Sequence, residues 1–274
     1  VYNDDEIKKA YQVILPVLKD LHKSSCRTIV EASPPVGGQN VKLLRKLSLA
    51  SGINIIPSTG WNVLKQMYHV FGDDFAKSMA KRWIYDFEQG LDTVDGVVIR
   101  PGYIKLLLDK GELSLVDQAM LIGAVKASKK TGMPIHCHIL EAHMVYDVVC
   151  LLEKENVDFT RFLWAHADKE GDLETIKVAA SKGMWIGLDM IKEGTHEEKA
   201  KLLNQVIELG CQNQVLLSQD YDFYEEAIEK GDNHPCASFF DEFIPYCKKQ
   251  GIADDVLENI LNKNPADFYD IKAL

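Results

Sequence analysis

The chain has 274 residues, of which 46% are hydrophobic and 26% charged, with a formal net charge of -10 at pH 7. This composition is typical of a folded protein and excludes disordered and fibrous classes. The negative charge argues against a nucleic-acid partner, because phosphate binding needs clustered lysine and arginine. No apolar run reaches the roughly 20 residues of a membrane span, and no signal peptide is visible. The six cysteines contain no CxxC pair, so we expect a cytoplasmic protein without a thiolate zinc site.

Short apolar runs alternate with longer amphipathic runs along the chain. The first amphipathic run, Asp5 to Lys23, has helical spacing, and no strand precedes it. Another helix is capped by Ser114 and ends at Gly132. One strand is predicted to end at Pro57. The predicted strands are 28–32, 53–56, 103–107, 134–138, 162–165, 184–188 and 214–218.

The alternation itself indicates the fold class. Strands separated by helices of about 10–15 residues form βαβ units around a parallel sheet. An open doubly wound sheet is the rival, but no glycine-rich phosphate loop follows an early strand. We therefore predict an α/β fold of the (β/α)₈ TIM-barrel type, in which the first of the eight strands is missing from the chain. No linker or low-complexity segment interrupts residues 1–274, which we predict to be one domain.

Polar side chains stand at the ends of several predicted strands, and one lysine lies within a strand. In a (β/α)₈ barrel the carboxyl ends of the strands meet at one rim, where active sites lie. Imidazole and carboxylate together bind zinc, manganese, iron or cobalt. Lysine is almost never buried without a partner, so the lysine indicates either a buried ion pair or a modified metal ligand. These residues are Lys105, His138, His166, Asp168, Asp189 and Asp220.

Together these motifs resemble the phosphotriesterase family of the amidohydrolase superfamily. The resemblance covers nearly the whole chain in the family's strand order. One departure is at the start, where the family's first strand ends in His-x-His and no such strand precedes Asp5. We interpret this departure as an absent N-terminal segment, the alternative being a lost metal site. The motifs that carry the resemblance are Gly102–Lys105, Gly132–His138, Trp164–Asp168, Gly187–Asp189, Leu217–Asp220 and Asn264–Phe268.

The resemblance implies a metal-dependent hydrolase with two divalent metal ions, zinc before manganese, cobalt or iron. Lys105 would be carboxylated on its amine and bridge the two ions, with His138 and His166 on the more exposed ion. Asp220 would hold the buried ion and act as the catalytic residue that takes the proton of the attacking hydroxide. Homodimers are common in the family, so a homodimer is expected.

Loop residues suggest the small-molecule substrate. Family lactonases for acyl-homoserine lactones carry an aromatic–Tyr pair after strand three, where this chain has Trp61 and Asn62. Relatives that act on sugar lactones have Asn at that place, so we predict a sugar-derived lactone. Lys192 and His234 are the further substrate-binding residues, placed to meet a hydroxyl, carboxylate or phosphate. The alternative for both is an exposed polar loop residue.

Three other functions fit part of the pattern. A phosphoester or organophosphate hydrolase of the same family is one, although Met190 stands where the family's phosphotriesterases carry a histidine. A single-metal deaminase is disfavoured by Lys105, which mononuclear relatives usually lack. A non-catalytic barrel with an incomplete metal site is supported only by the missing N-terminal histidine pair.

Overall fold

The computed structural model describes residues 3–33, 38–61, 74–222 and 235–271, with the backbone alone at Trp61 and Pro235. No helix within these ranges is long and apolar enough to cross a membrane. The strands β1 to β10 are Thr28–Val30, Asn54–Ile56, Ser58–Trp61, Asp92–Val94, Val97–Ile99, Tyr103–Leu107, Ile135–His138, Phe162–Ala165, Trp185–Leu188 and Val215–Leu217. The α-helices α1 to α10 are Asp4–Lys23, Val41–Ser51, Phe75–Gln89, Leu115–Thr131, Met144–Lys154, Leu173–Ser181, His196–Glu208, Ile244–Lys249, Asp254–Glu258 and Asn264–Tyr269.

The strands form the wall of a barrel. Six of them make one sheet in the order β10-β9-β8-β7-β6-β3, with parallel pairing throughout. A second parallel pair joins β1 to β2, and Pro57 alone separates β2 from β3. The wall therefore has seven strand positions, in agreement with the seven predicted strands. In the described part of the chain β1 and β10 do not pair with each other, so the wall is open between them.

The second strand ends before Pro57, as predicted, and the chain then continues directly as β3, which pairs with β6 and which sequence reasoning did not identify. Thr59 is fully buried, and its hydroxyl donates to the Asp86 carboxylate on α3 at 2.7 Å. A Cβ atom at Gly60 would lie 1.9 Å from the Lys105 carbonyl oxygen. Glycine therefore permits a close approach of two backbones that no other residue allows. Contacts with β6 and α3, rather than local propensity, stabilise β3 as a strand.

The helix predicted from Ser114 to Gly132 shows how local signals position the outer layer. The Ser114 hydroxyl and the Asp117 carboxylate form a reciprocal capping box at the start of α4. Gly132 ends the helix in the left-handed conformation, with φ of 75°. The main hydrophobic core lies between the strands and this outer layer of helices. The cap and the terminal glycine thus set where the chain turns back into β7.

Aromatic and aliphatic side chains fill the floor of the barrel. Leu163, Trp185 and Leu216 point into it from three neighbouring strands and pack against Phe268 of α10. The Asn264 side-chain amide donates to the Val215 carbonyl at 2.8 Å, which fastens α10 to β10. With its floor filled, the barrel presents its functional groups at the carboxyl ends of the strands.

Candidate metal centre and substrate cavity

Two histidines meet where β7 and β8 end. His138 is the last residue of β7, and His166 follows the last residue of β8. Because His138 is in register with Ala165 on the adjacent parallel strand, the two imidazoles lie side by side. Their ring centroids are 4.3 Å apart in an edge-to-face arrangement. His166 has a φ of 67°, a left-handed conformation that is uncommon for residues other than glycine.

Asp189 holds His166 from the neighbouring strand end. The backbone N–H of His166 donates to Oδ1 of Asp189 at 2.9 Å. Nδ1 of the same imidazole lies 2.7 Å from that oxygen, without the angle of a hydrogen bond. A carboxylate beside Nδ1 leaves Nε2 as the nitrogen that can bind a metal ion, which is the usual support of a metal-binding histidine.

Lys105 lies in the middle of β6 and points into the barrel. It is in register with Gly60 on one side and His136 on the other, and only 8% of its surface is exposed. Burial lowers the pKa of its amine, while Asp189 and Asp220 act in the opposite direction. No ion pair to Lys105 forms within the described ranges, so the buried ion pair that its position also suggested is not found. The pKa of the Lys105 amine is therefore lower than that of an exposed lysine.

His136 is a further inward-facing group, two residues before His138. Its Nδ1 lies 3.1 Å from the Tyr269 hydroxyl, which reaches up from α10. The Tyr103 ring packs against both, with centroids 5.5 Å from His136 and 5.6 Å from Tyr269. The Tyr103 hydroxyl donates to the Glu31 carbonyl at 2.6 Å. These groups form a polar row beneath Lys105, and sequence reasoning did not identify Tyr269 because no local pattern places it there.

Asp220 follows β10 and lines the same cavity as Lys105, His166 and Asp189. Its side chain is exposed, and its backbone is left-handed with φ of 48°. The structure therefore brings His138 and His166 into contact, and places Lys105 and Asp220 around one cavity. Among the described residues, no three His, Cys, Asp or Glu side chains lie close enough to hold a metal ion.

Part of this arrangement fits a metal centre. His166 presents one free ring nitrogen beside the neighbouring imidazole of His138. Imidazole nitrogens of this kind suit zinc and its neighbours in the first transition series. Lys105 adds a buried amine that lacks a counter-charge within ion-pair distance in the described chain. The two imidazoles are donors that fit a divalent ion, and Lys105 and Asp220 line the cavity together with His166.

The cavity has a volume of about 790 Å³. Polar groups from the strand ends line one part of it, and aliphatic side chains of α1 and α2 line another. Of the predicted substrate-binding residues, Lys192 lines the cavity, with its Nζ 5.8 Å from the centre of the Tyr221 ring. Trp61 ends β3, while Asn62 and His234 lie outside the described residues. Of the four predicted substrate-binding residues, Lys192 is the one whose side chain the structure describes.

Comparison with known proteins assigns the family. The sequence profile of the phosphotriesterase family matches residues 1–269. The chain belongs to the phosphotriesterase family. The phosphotriesterase homology protein of Escherichia coli is 23% identical over 263 residues, covering 94% of this chain and 89% of the relative. The aryldialkylphosphatase of Saccharolobus solfataricus is 24% identical, covering 98% of this chain and 88% of the relative.

Two further comparisons support the fold and the enzyme class. A crystal structure of the Escherichia coli phosphotriesterase homology protein, complexed with phosphate in its active site, superposes with a TM-score of 0.84 at 22% identity. The superposition covers 95% of this chain and 90% of that structure, which confirms the predicted TIM-barrel fold. The human N-acetyltaurine hydrolase is 19% identical, covering 89% of this chain and 73% of the relative. This phosphotriesterase-family protein is a hydrolase, as predicted.

Two half-buried histidines of β7, His136 and His138, make folding sensitive to pH. Burial lowers the pKa of His138 to about 3, and the nearby His166 and Lys105 lower it further. Burial also lowers the pKa of His136 well below its usual range. Both histidines titrate near 6.5 in the unfolded chain. The unfolded state thus binds more protons below that pH, and the stability of the metal-free fold falls as pH falls from about 6.5 towards 3.

We expect the urea midpoint of the metal-free protein to be lower at about pH 5 than at about pH 7.5. One such histidine contributes a slope of up to about 1.4 kcal/mol per pH unit. His138→Gln removes one of the two titrating groups, so its stability should decline less steeply over the same range. An equal slope in the variant and the wild type would show that His138 is not held neutral by the fold.

Proposed function

We propose that this phosphotriesterase-family hydrolase opens the ring of a lactone, with a sugar-derived lactone as the favoured substrate. The observation that supports a hydrolytic metal centre is the contact between His138 and His166 at the mouth of the barrel. Lys105, which is buried and has a lowered pKa, is a third group with perturbed chemistry near these histidines. Clusters of perturbed groups in a cavity are typical of catalytic sites.

The metal would be held by Lys105, His138, His166 and Asp220, with zinc as the first choice and two ions as the expected number. A divalent ion supplies a Lewis acid and lowers the pKa of water towards neutrality. Lys105 would contribute as a carbamate, since a neutral amine combines with carbon dioxide and releases one proton. Burial of the Lys105 amine favours its neutral form, which is the form that this reaction needs.

Asp220 and Asp189 have different roles in this proposal. Asp220 is exposed in the cavity, so its carboxylate is free to accept the proton of the attacking water at one of its oxygens. Asp189 is buried and is occupied by the backbone N–H and the ring of His166. It therefore orients His166 rather than taking part in proton transfer.

The choice of a lactone depends on the cavity and its loops. The volume of about 790 Å³ lies within the range of small-molecule sites. Lys192 lines the cavity and would interact with a hydroxyl, carboxylate or phosphate group of the substrate. Trp61 at the end of β3, its sequence neighbour Asn62, and His234 are the other residues that we propose to contact the ring of the substrate. An asparagine at position 62 favours a polar substrate over a long acyl chain.

A phosphoester is the second candidate substrate. One curated relative is named an aryldialkylphosphatase, and a solved relative contains phosphate in its active site. Met190 opposes this alternative, because it is buried and has no group that relays a proton. We therefore place phosphotriester hydrolysis below lactone opening for this chain.

Metal content and a substrate panel test the proposal together. Elemental analysis should find about two transition-metal ions per chain. The loaded protein should then hydrolyse sugar lactones with a kcat/KM at least about 10²-fold above that for a phosphotriester. One ion per chain would favour the mononuclear alternative. No bound metal after reconstitution, with no turnover, would leave a non-catalytic barrel.

A further inference from the structure

Behind the two histidines, a buried ion pair joins α7 to the end of β8. The Lys199 ammonium donates to Oδ2 of Asp168 at 2.8 Å. The Asp168 side chain has no exposed surface, and that of Lys199 is 11% exposed. Lys199 lies on α7, whereas Asp168 lies two residues after His166. The pair therefore connects the outer helix layer to the segment that carries a proposed metal ligand.

The same carboxylate also holds the end of β9. The backbone N–H of Asp189 donates to Oδ1 of Asp168 at 3.2 Å, and the N–H of Met190 donates to Oδ2 at 3.1 Å. Asp189 in turn accepts the backbone N–H of His166 through its own carboxylate. A continuous series of contacts thus runs from Lys199 through Asp168 and Asp189 to His166.

These contacts hold a strained backbone conformation at His166 in place. His166 has a φ of 67°, which disfavours residues other than glycine, asparagine and aspartate. Such a conformation persists only where surrounding contacts hold it. One contact that reaches His166 from another strand is its backbone hydrogen bond to the Asp189 carboxylate. The backbone N–H of Asp189 is in turn hydrogen-bonded to the Asp168 carboxylate. Without Lys199, the Asp168 carboxylate would be a buried charge without a cation beside it, and it would turn towards water.

We propose that Lys199 and Asp168 are positioning residues that hold His166 and Asp189 in the arrangement required for metal binding. In its metal-binding part this proposal rests on the proposed function. Within the described ranges, the ion pair makes no hydrogen bond to the cavity groups Lys105 and Asp220. The ion pair acts on His166 through Asp189. Carboxylates behind metal-binding histidines commonly orient the imidazole in this way.

The test compares Lys199→Met with two matched variants of the full-length chain. Lys199→Arg keeps the cation and should restore wild-type behaviour. Lys169→Met removes a lysine from the nearby exposed ion pair with Glu193 at 3.0 Å, and so controls for the loss of a charge. The first readout is the dissociation constant for zinc, measured by competition with a chromophoric chelator. The second is the hydrogen-exchange rate of the His166 backbone amide in the metal-free protein.

Lys199→Met should bind zinc at least about 10-fold more weakly and exchange the His166 amide at least about 10-fold faster, while amides within β7 are unchanged. Lys199→Arg and Lys169→Met should remain within about threefold of wild type for both readouts. A folded Lys199→Met protein with wild-type zinc affinity would overturn the proposal. If the wild type binds neither zinc nor manganese, cobalt or iron, the proposed function fails. Unchanged amide exchange in Lys199→Met would still overturn the positioning role.

If Lys199→Met does not fold, the double variant Asp168→Leu/Lys199→Met replaces it. Removing both charges leaves no unpaired buried ion, and such replacements are usually tolerated. The backbone N–H groups of Asp189 and Met190 would still lose their acceptor, so the same two readouts should change in the same direction. Wild-type values for a folded double variant would contradict the proposal.

Discussion

Asp220→Asn is expected to lower kcat for lactone hydrolysis by about 10³-fold or more while the protein stays folded. The variant loses the carboxylate proposed both to hold metal and to accept a proton, and a general base alone contributes about 10²- to 10⁴-fold. The fold should tolerate the change, because Asp220 is exposed and asparagine readily adopts the left-handed conformation found there. Steady-state kinetics on the metal-loaded protein measure the effect.

A matched control exists at a residue that does not line the cavity. Asp95 is also exposed and left-handed, with φ of 51°, and lies in the hairpin between β4 and β5. Asp95→Asn makes the same chemical change in a similar left-handed backbone conformation, at a residue outside the cavity lining. It should retain wild-type kcat. Comparable activity in Asp220→Asn and Asp95→Asn would exclude Asp220 as the proton acceptor.

Replacing Lys105 with alanine is expected to remove most of the bound metal and, with it, the hydrolytic activity. The variant lacks the amine that would become the bridging carbamate. Loss of a group that only supports a metal ligand costs about 10- to 100-fold in metal affinity, so loss of a ligand itself should cost more. The shortened side chain also leaves space in a site where Lys105 was almost completely buried. A short-chain carboxylic acid, supplied in solution, should occupy that space and restore part of the metal content and activity.

Lys105→Met provides the contrast for this rescue. Methionine has no ligand amine but fills a volume similar to that of lysine, so no carboxylic acid fits beside it. Metal content by elemental analysis and activity with and without the acid are compared for the two variants. Equal metal content in the wild type and Lys105→Ala would contradict a bridging role. Rescue of both variants would show that the acid acts elsewhere.

Much of the barrel could be predicted from the sequence because its signals are local and periodic. The alternation of strands and helices gave seven strand positions, and Ser114 and Gly132 marked the ends of one helix correctly. Parallel strands that follow one another along the chain usually lie side by side. The ends of β7 and β8 were therefore expected to meet, and His138 and His166 are in contact there.

Other features had no local signal. Pro57 is normally a strand breaker, yet β3 follows it at once because Gly60 packs against the β6 backbone. His136 and Tyr269 are 133 residues apart in sequence and meet only because α10 fills the floor of the barrel. Lys199 is one of several charged residues at the start of α7, where an exposed position would be the ordinary expectation.

The sequence by itself determined which residues stand at the strand ends, since side-chain alternation and strand direction are encoded over a few residues. It also determined the family, through motifs that follow one another in order along residues 1–269. The tertiary structure decided which of those residues have hydrogen-bonding partners. His166 is bonded to Asp189, and Asp168 is bonded to Lys199. Pairings of this kind depend on how the helices pack around the wall of the barrel. A buried charge is strongly destabilising without its partner, so each member of such a pair requires the other.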